Sequence, residues 1–143
     1  MKKIVLFFVI VIFIISTFTY FYLNQVANYN IAKRENSKFR IFENEEISGL
    51  DLATIINKAL NENVKNEVKK EDDGKYIDNK NNSINIDIEF LDDDIIYNIE
   101  KISAGGIENF VKYYSEIIFK CMEIKYHEQT KKISYMKFEQ ITQ

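Results

Sequence analysis

Cys121 and His127 are the only thiol and the only imidazole in this chain of 143 residues. Side by side they would make a nucleophile and its base. Their spacing argues against that use. Six residues along one strand span ~20 Å at ~3.3 Å per residue, too far to share a proton. Cys121 is therefore expected as a small core residue. His127, just before Glu128-Gln129-Thr130-Lys131, is expected as an exposed turn residue. A single cysteine excludes an intramolecular disulfide and a multi-cysteine zinc site.

Two acidic runs, Glu71-Asp72-Asp73 and Asp92-Asp93-Asp94, are the oxygen-rich segments that a hard cation would use. Charged turns account for both. Asp78 to Glu89 has the length of an EF-hand loop, but Lys80 occupies the third ligand position and Ser83 the place of the required glycine. Gly105-Gly106 ahead of a helix would offer backbone N–H groups to an anion. No phosphate-loop lysine follows and Glu108 repels an anion, so the pair is expected to relax a corner. Asn81-Asn82-Ser83 has only the form of a glycosylation sequon. The sequence thus predicts no catalytic residue, no cofactor and no metal.

The elements that position these residues begin with an apolar run. Ile4 to Leu23 carries no charge, and twenty residues at ~1.5 Å rise span ~30 Å, the hydrocarbon thickness of a bilayer. Tyr20 and Tyr22 stand at one end of it, where interfacial aromatics belong, and Lys2 and Lys3 at the other. The positive-inside rule favours a cytoplasmic N-terminus, although Lys33, Arg34, Lys38 and Arg40 reduce the asymmetry. As a cleaved signal peptide the run is a poor fit. Ile4–Ile15 has the length of an apolar signal core, but Phe18, Tyr20, Phe21 and Tyr22 follow where small residues are needed, and Thr17-Phe18-Thr19 is the nearest approach to a cleavage site.

Beyond the run, Val26, Tyr29, Ala32 and Lys33 fit a helical continuation, a stalk ending at the apolar docking point Phe39, Ile41 and Phe42. Ser48 and Asp51 read as the cap and first turn of a helix whose apolar face is Leu52, Ile55, Ile56, Ala59, Leu60 and Val64. Asp72-Asp73-Gly74 turns the chain. Ile84, Ile86, Ile88 and Phe90 alternate with polar residues, as do Ile95, Tyr97 and Ile99, which predicts a β-hairpin. A second helix carries Ile107, Phe110, Val111 and Tyr114 on one face. A second hairpin follows, from Ile117 to Tyr126, with Ile118, Met122, Ile124 and Tyr126 as its inward set, and from Ile133 to Phe138. Phe110, Tyr113, Tyr114, Phe119, Tyr126, Tyr135 and Phe138 are expected mostly in the core, with one of the adjacent Tyr113 and Tyr114 left exposed for partner contact.

The expected fold is α+β: an N-terminal transmembrane helix, then two β-hairpins forming a four-stranded antiparallel sheet with two helices. The expected organisation is a transmembrane signal anchor over 1–23, a stalk or linker over 24–47, and an extracytoplasmic domain over 48–143. Composition suits a packed core, with 46% hydrophobic and 14% aromatic residues. Of 19 basic residues, Lys2 and Lys3 precede the apolar run, so 17 face 22 acidic ones beyond it. That balance leaves no basic footprint for nucleic acid. The absence of proline and tryptophan, with abundant Ile, Asn, Lys, Glu and Tyr, reads as the codon bias of an AT-rich microbe, under which the asparagines carry little meaning.

An apolar N-terminal helix running on as a stalk into a small antiparallel sheet resembles pilins and pseudopilins in architecture. The resemblance implies a filament or secretion-assembly subunit. It stops where those families are specific, because Met1-Lys2-Lys3 leads straight into Ile4, Val5 and Leu6, without the glycine of the processing site or the glutamate of the mature helix. The function expected from the sequence is a non-enzymatic interaction or assembly domain of a microbial envelope. Its partners are the lipid bilayer, through Ile4–Leu23, and a protein. A pilin-like subunit and a ligand-sensing domain are the alternatives.

Overall fold

The N-terminal helix is longer than the apolar run. In the computed structural model, which describes residues 2–40, 42–91 and 93–141 without the side chains of Asp93 and Asp94, α1 runs unbroken over Lys2–Arg40, ~58 Å at 1.5 Å per residue. No glycine or proline interrupts it. It is long and apolar enough to cross a membrane. Its apolar part stands clear of the rest of the molecule, and burial begins only at Ala32, Asn36 and Phe39, spaced by four and three residues on one face. Phe39 enters the core and Phe42 packs against it; Ile41 lies outside the described residues.

Eight further elements follow: β1 (Glu46–Ser48), α2 (Gly49–Lys65), β2 (Asn85–Phe90), β3 (Asp93–Asn98), α3 (Ile99–Gly105), α4 (Ile107–Tyr114), β4 (Ile118–Tyr126) and β5 (Ile133–Gln140). The fold is α+β, but the sheet has five strands in the order β1-β4-β5-β2-β3 rather than four. It is mixed rather than antiparallel. β2–β3 and β4–β5 pair as the hairpins expected, and the two hairpins join through parallel pairing of β2 with β5. The fifth strand, β1, straddles the boundary between the segment read as stalk and the domain, and pairs with the start of β4.

α2 begins as its sequence dictates. The Ser48 hydroxyl oxygen accepts from the Asp51 N–H at 3.1 Å, and its O–H donates to the Asp51 carboxylate at 2.8 Å. Leu52, Ile55, Ile56 and Ala59 are fully buried, each large one worth about 2 kcal/mol of transfer free energy. The last turn departs from expectation. Val64 is 68% exposed and Asn63 takes the inward position with no exposure.

β2 alternates as read, with Ile84, Ile86 and Ile88 buried. β3 stops one residue earlier than the alternation implies. The Asn98 side chain accepts from the Lys101 N–H at 2.9 Å and caps α3, so Ile99 is buried as a helical residue and Ile95 is 52% exposed. The inward set of β4 also differs. Phe119 and Cys121 point into the core, and Met122 is 50% exposed because it is the extra residue of a bulge where Cys121 and Glu123 face consecutive residues of β5. The helices cover one face of the sheet. The other carries Asp87, Glu89, Tyr135, Lys137 and Glu139, with the Tyr135 hydroxyl donating to Asp87 at 3.0 Å and the Lys137 ammonium 2.7 Å from both glutamates. Tyr135 and the 39%-exposed Tyr126 are therefore not core aromatics.

Candidate functional site

Cys121 and His127 sit near opposite ends of β4 and are not brought together. Cys121 is buried, and burial pushes its thiol up to about 11. At neutral pH it is a protonated core residue, not a nucleophile.

His127 is not exposed. It is 4% accessible, with its backbone N–H donating to Lys132 at 2.8 Å. Its Nε2 lies 2.8 Å from the Ser83 carbonyl oxygen, which can only accept, so Nε2–H is the donor. Nδ1 then faces the Asp78 carboxylate at 3.9 Å. The Lys80 N–H, donating to Asp78, holds that carboxyl below its ordinary range, helped by the Ser83 hydroxyl and His127. The imidazole pins the 78–83 loop to the end of β4. Among the described residues no group of three or more His, Cys, Asp or Glu side chains is placed to hold a metal. Asp92 is outside the described residues.

Two asparagines that the sequence reading passed over organise this end of the molecule. From α1, the Asn36 amide donates to the Lys131 carbonyl at 2.7 Å and accepts from the Ile133 N–H at 2.8 Å. From α2, the Asn63 amide donates to the Ile84 carbonyl at 2.8 Å and accepts from the Ile84 N–H at 2.7 Å. Each side chain imitates one rung of a β ladder. Ile133 opens β5 and Ile84 immediately precedes β2, so the pair closes the leading edge of the two parallel strands. The signal was available: each asparagine lies at helical spacing on an otherwise apolar face, Asn36 between Ala32 and Phe39, and Asn63 after Ile56 and Ala59.

α1 and the segment after it run alongside β4. Asn36 meets the chain just past the Tyr126 end of β4, the backbone of Asn44 reaches the Cys121 sulfur, and β1 pairs with Ile118–Lys120. The apolar helix therefore lies toward the His127 end, and the opposite end of the sheet points away from it. At that far end Phe90, Tyr97, Ile102, Phe110, Tyr113 and Tyr114 line an open, mainly apolar groove of about 170 Å³. Its wall is rigid. Phe90 meets Tyr97 edge-on at 5.1 Å and lies tilted against Tyr114 at 4.8 Å, and Phe110 stacks on Tyr114 at 5.2 Å. The Lys101 ammonium lies 3.7 Å from the Tyr97 ring centre. Tyr113 is 68% exposed at the rim and Tyr114 is half-buried. Gly106, at φ 86°, supplies the left-handed corner that starts α4. Gly49 lets the start of α2 approach the end of α4: a Cβ there would stand 1.8 Å from the Tyr114 carbonyl oxygen.

Comparison with known protein families, with curated proteins and with solved structures found no match to this chain.

Proposed function

We propose that this chain is a single-pass, membrane-anchored, non-enzymatic interaction domain of a microbial envelope, its N-terminus cytoplasmic and its folded part outside. The observation that carries the reading is the junction. Ala32, Asn36 and Phe39 of α1 are buried in the folded part, so the helix that would be the anchor is docked directly on the domain it carries, and the domain is held close to the membrane. Lys2 and Lys3, just ahead of the apolar run, favour the orientation. The non-enzymatic reading is supported by the employment of Cys121 in the core and of His127 in holding a loop. The far-end groove, with Tyr113 at its rim, is the surface such a domain would present to a partner protein.

The test is site-specific photocrosslinking in intact cells. A photoreactive residue at Tyr113 should give one discrete adduct, and one at Lys137, on the open sheet face, should not. Adducts of equal pattern at both positions would refute the assignment of the groove.

A pilin-like subunit is the second reading, favoured by the burial of Ala32, Asn36 and Phe39 at the end of α1 while its apolar part projects. An intact mass that begins at Met1 or its immediate neighbour would count against it; removal of a short leader would support it.

A further inference from the structure

We infer that the end of the domain nearest the apolar helix, formed by the His127–Lys132 turn and the 79–83 loop, rests on anionic lipid headgroups beside the anchor. The inference rests on the reading of α1 as a membrane span.

Height is the first argument. From Leu23 to Ala32 a straight helix rises ~14 Å. Headgroups occupy about 6 Å of that, which leaves about 8 Å, close to one Debye length at physiological salt and within reach of a lysine side chain. Ala32 is 1% exposed, so folded structure already extends to that level. The elements there are the two loops. Asn36 holds the Lys131 carbonyl, and the Thr130 hydroxyl donates to the Asn81 carbonyl at 2.6 Å. Helical side chains lean toward the helix N-terminus, so this bond draws the turn toward the bilayer.

Charge is the second argument. The part of the chain beyond the apolar run is acidic overall, yet this end gathers Lys33, Lys80, Lys131 and Lys132, none of which is within ion-pair distance of an acid among the described residues, although Lys80 acts on Asp78 and Lys132 on Glu35 at longer range. Lys38, by contrast, is engaged by Glu35 and Glu62 at 3.0 and 2.8 Å. Asp78 and Glu128 remain as the acids of the two loops. Backbone geometry adds a third point. Lys80 and Lys131 both adopt left-handed conformations, φ 60° and 57°, which glycine or asparagine would adopt at lower cost. What lysine adds at those turns is a charge at the tip.

The test uses the full chain in lipid nanodiscs. A fluorophore is placed at Gln129→Cys, with Glu108→Cys on α4 as the far-end control; Cys121 is buried and takes no label. Quenching by a nitroxide lipid headgroup is compared in phosphatidylcholine discs and in discs that also contain phosphatidylglycerol. Position 129 should be quenched far more than 108, and more with phosphatidylglycerol. Each lysine is expected to favour the docked state about fivefold, so the triple variant Lys80→Asn, Lys131→Asn, Lys132→Gln should lose on the order of a hundredfold in the docked ratio. Asparagine keeps the left-handed turns, and an unchanged melting temperature would show the fold intact. Equal quenching at 129 and 108, or quenching at 129 that ignores both lipid charge and the lysines, would overturn the inference while leaving the span in place. Failure of the chain to integrate into discs at all would overturn both.

Discussion

Asn36→Ala is the substitution that most directly tests how the long helix is joined to the sheet. The Asn36 side chain is 7% exposed as a residue and makes two bonds, to the Lys131 carbonyl and from the Ile133 N–H. Alanine keeps the helix but leaves a buried N–H and a part-buried carbonyl without partners. A stranded buried group costs about 1–3 kcal/mol. The buried N–H should bear most of its cost, while the part-buried carbonyl recovers more of it from water, for a total of about 2–4 kcal/mol. For a domain of this size that is a fall of roughly 10 °C in melting temperature. The matched control is Asn36→Asp, which keeps the acceptor for Ile133 and sets a carboxylate oxygen against the Lys131 carbonyl. Hydrogen exchange on the full chain in detergent reads the site itself. The Ile133 amide should lose protection in Asn36→Ala and keep most of it in Asn36→Asp. An Asn36→Ala protein that melts within about 0.5 kcal/mol of the parent, with Ile133 still protected, would refute the idea that this amide clamps the junction.

Other outcomes follow from single features. Gly49→Ala places a Cβ 1.8 Å from the Tyr114 carbonyl, so it should destabilise the fold by about 3 kcal/mol or more and alter the near-ultraviolet signal of the aromatic groove; a neutral effect would mean that the contact between α2 and α4 is wrong. Cys121 should react with a maleimide at neutral pH only after unfolding, given its burial and a thiol pushed up to about 11; fast labelling of the folded chain would contradict its place in the core. The Asp78 carboxyl is held below its ordinary value, so its bonds stabilise the fold above pH ~4 and are lost as pH falls through the lowered folded value. Asp78→Asn should therefore be less stable at neutral pH and show a shallower loss on the acid limb in pH-dependent melts; parallel curves for the two proteins would contradict the assignment.

The parts of this fold that the sequence announces are those encoded by nearby residues. The alternation of Ile84, Ile86 and Ile88, the Ser48–Asp51 cap and the β4–β5 hairpin each depend on neighbours in the chain. The parallel pairing of β2 with β5 depends on residues about fifty positions apart, and nothing local distinguishes it from two separate hairpins. β1 is three residues long, too short to show a period. The β4–β5 pairing shifts register at Met122 and again between Lys125 and Tyr126, which exchanges the inward and outward sets, and local pattern reads through a bulge as if it were absent. His127 and the two asparagines show a different limit. A polar residue is read as exposed unless its partner is known, and the partners here, the Ser83 carbonyl and the backbone of Lys131, Ile133 and Ile84, come from distant segments. At the groove, the adjacency of Tyr113 and Tyr114 foretold that one ring would face outward. That Phe90 and Tyr97 complete the same wall required the fold.

On the proposed topology, α1 holds the folded part at the outer surface of a membrane. The most direct measurement is labelling of Gln129→Cys in intact spheroplasts with a membrane-impermeant maleimide, followed by carbonate extraction. Labelling without permeabilisation, on a chain of unshortened mass that stays in the membrane pellet, is the predicted result. Labelling only after the cells are opened, or a labelled chain that is shortened and released into the supernatant, would contradict it.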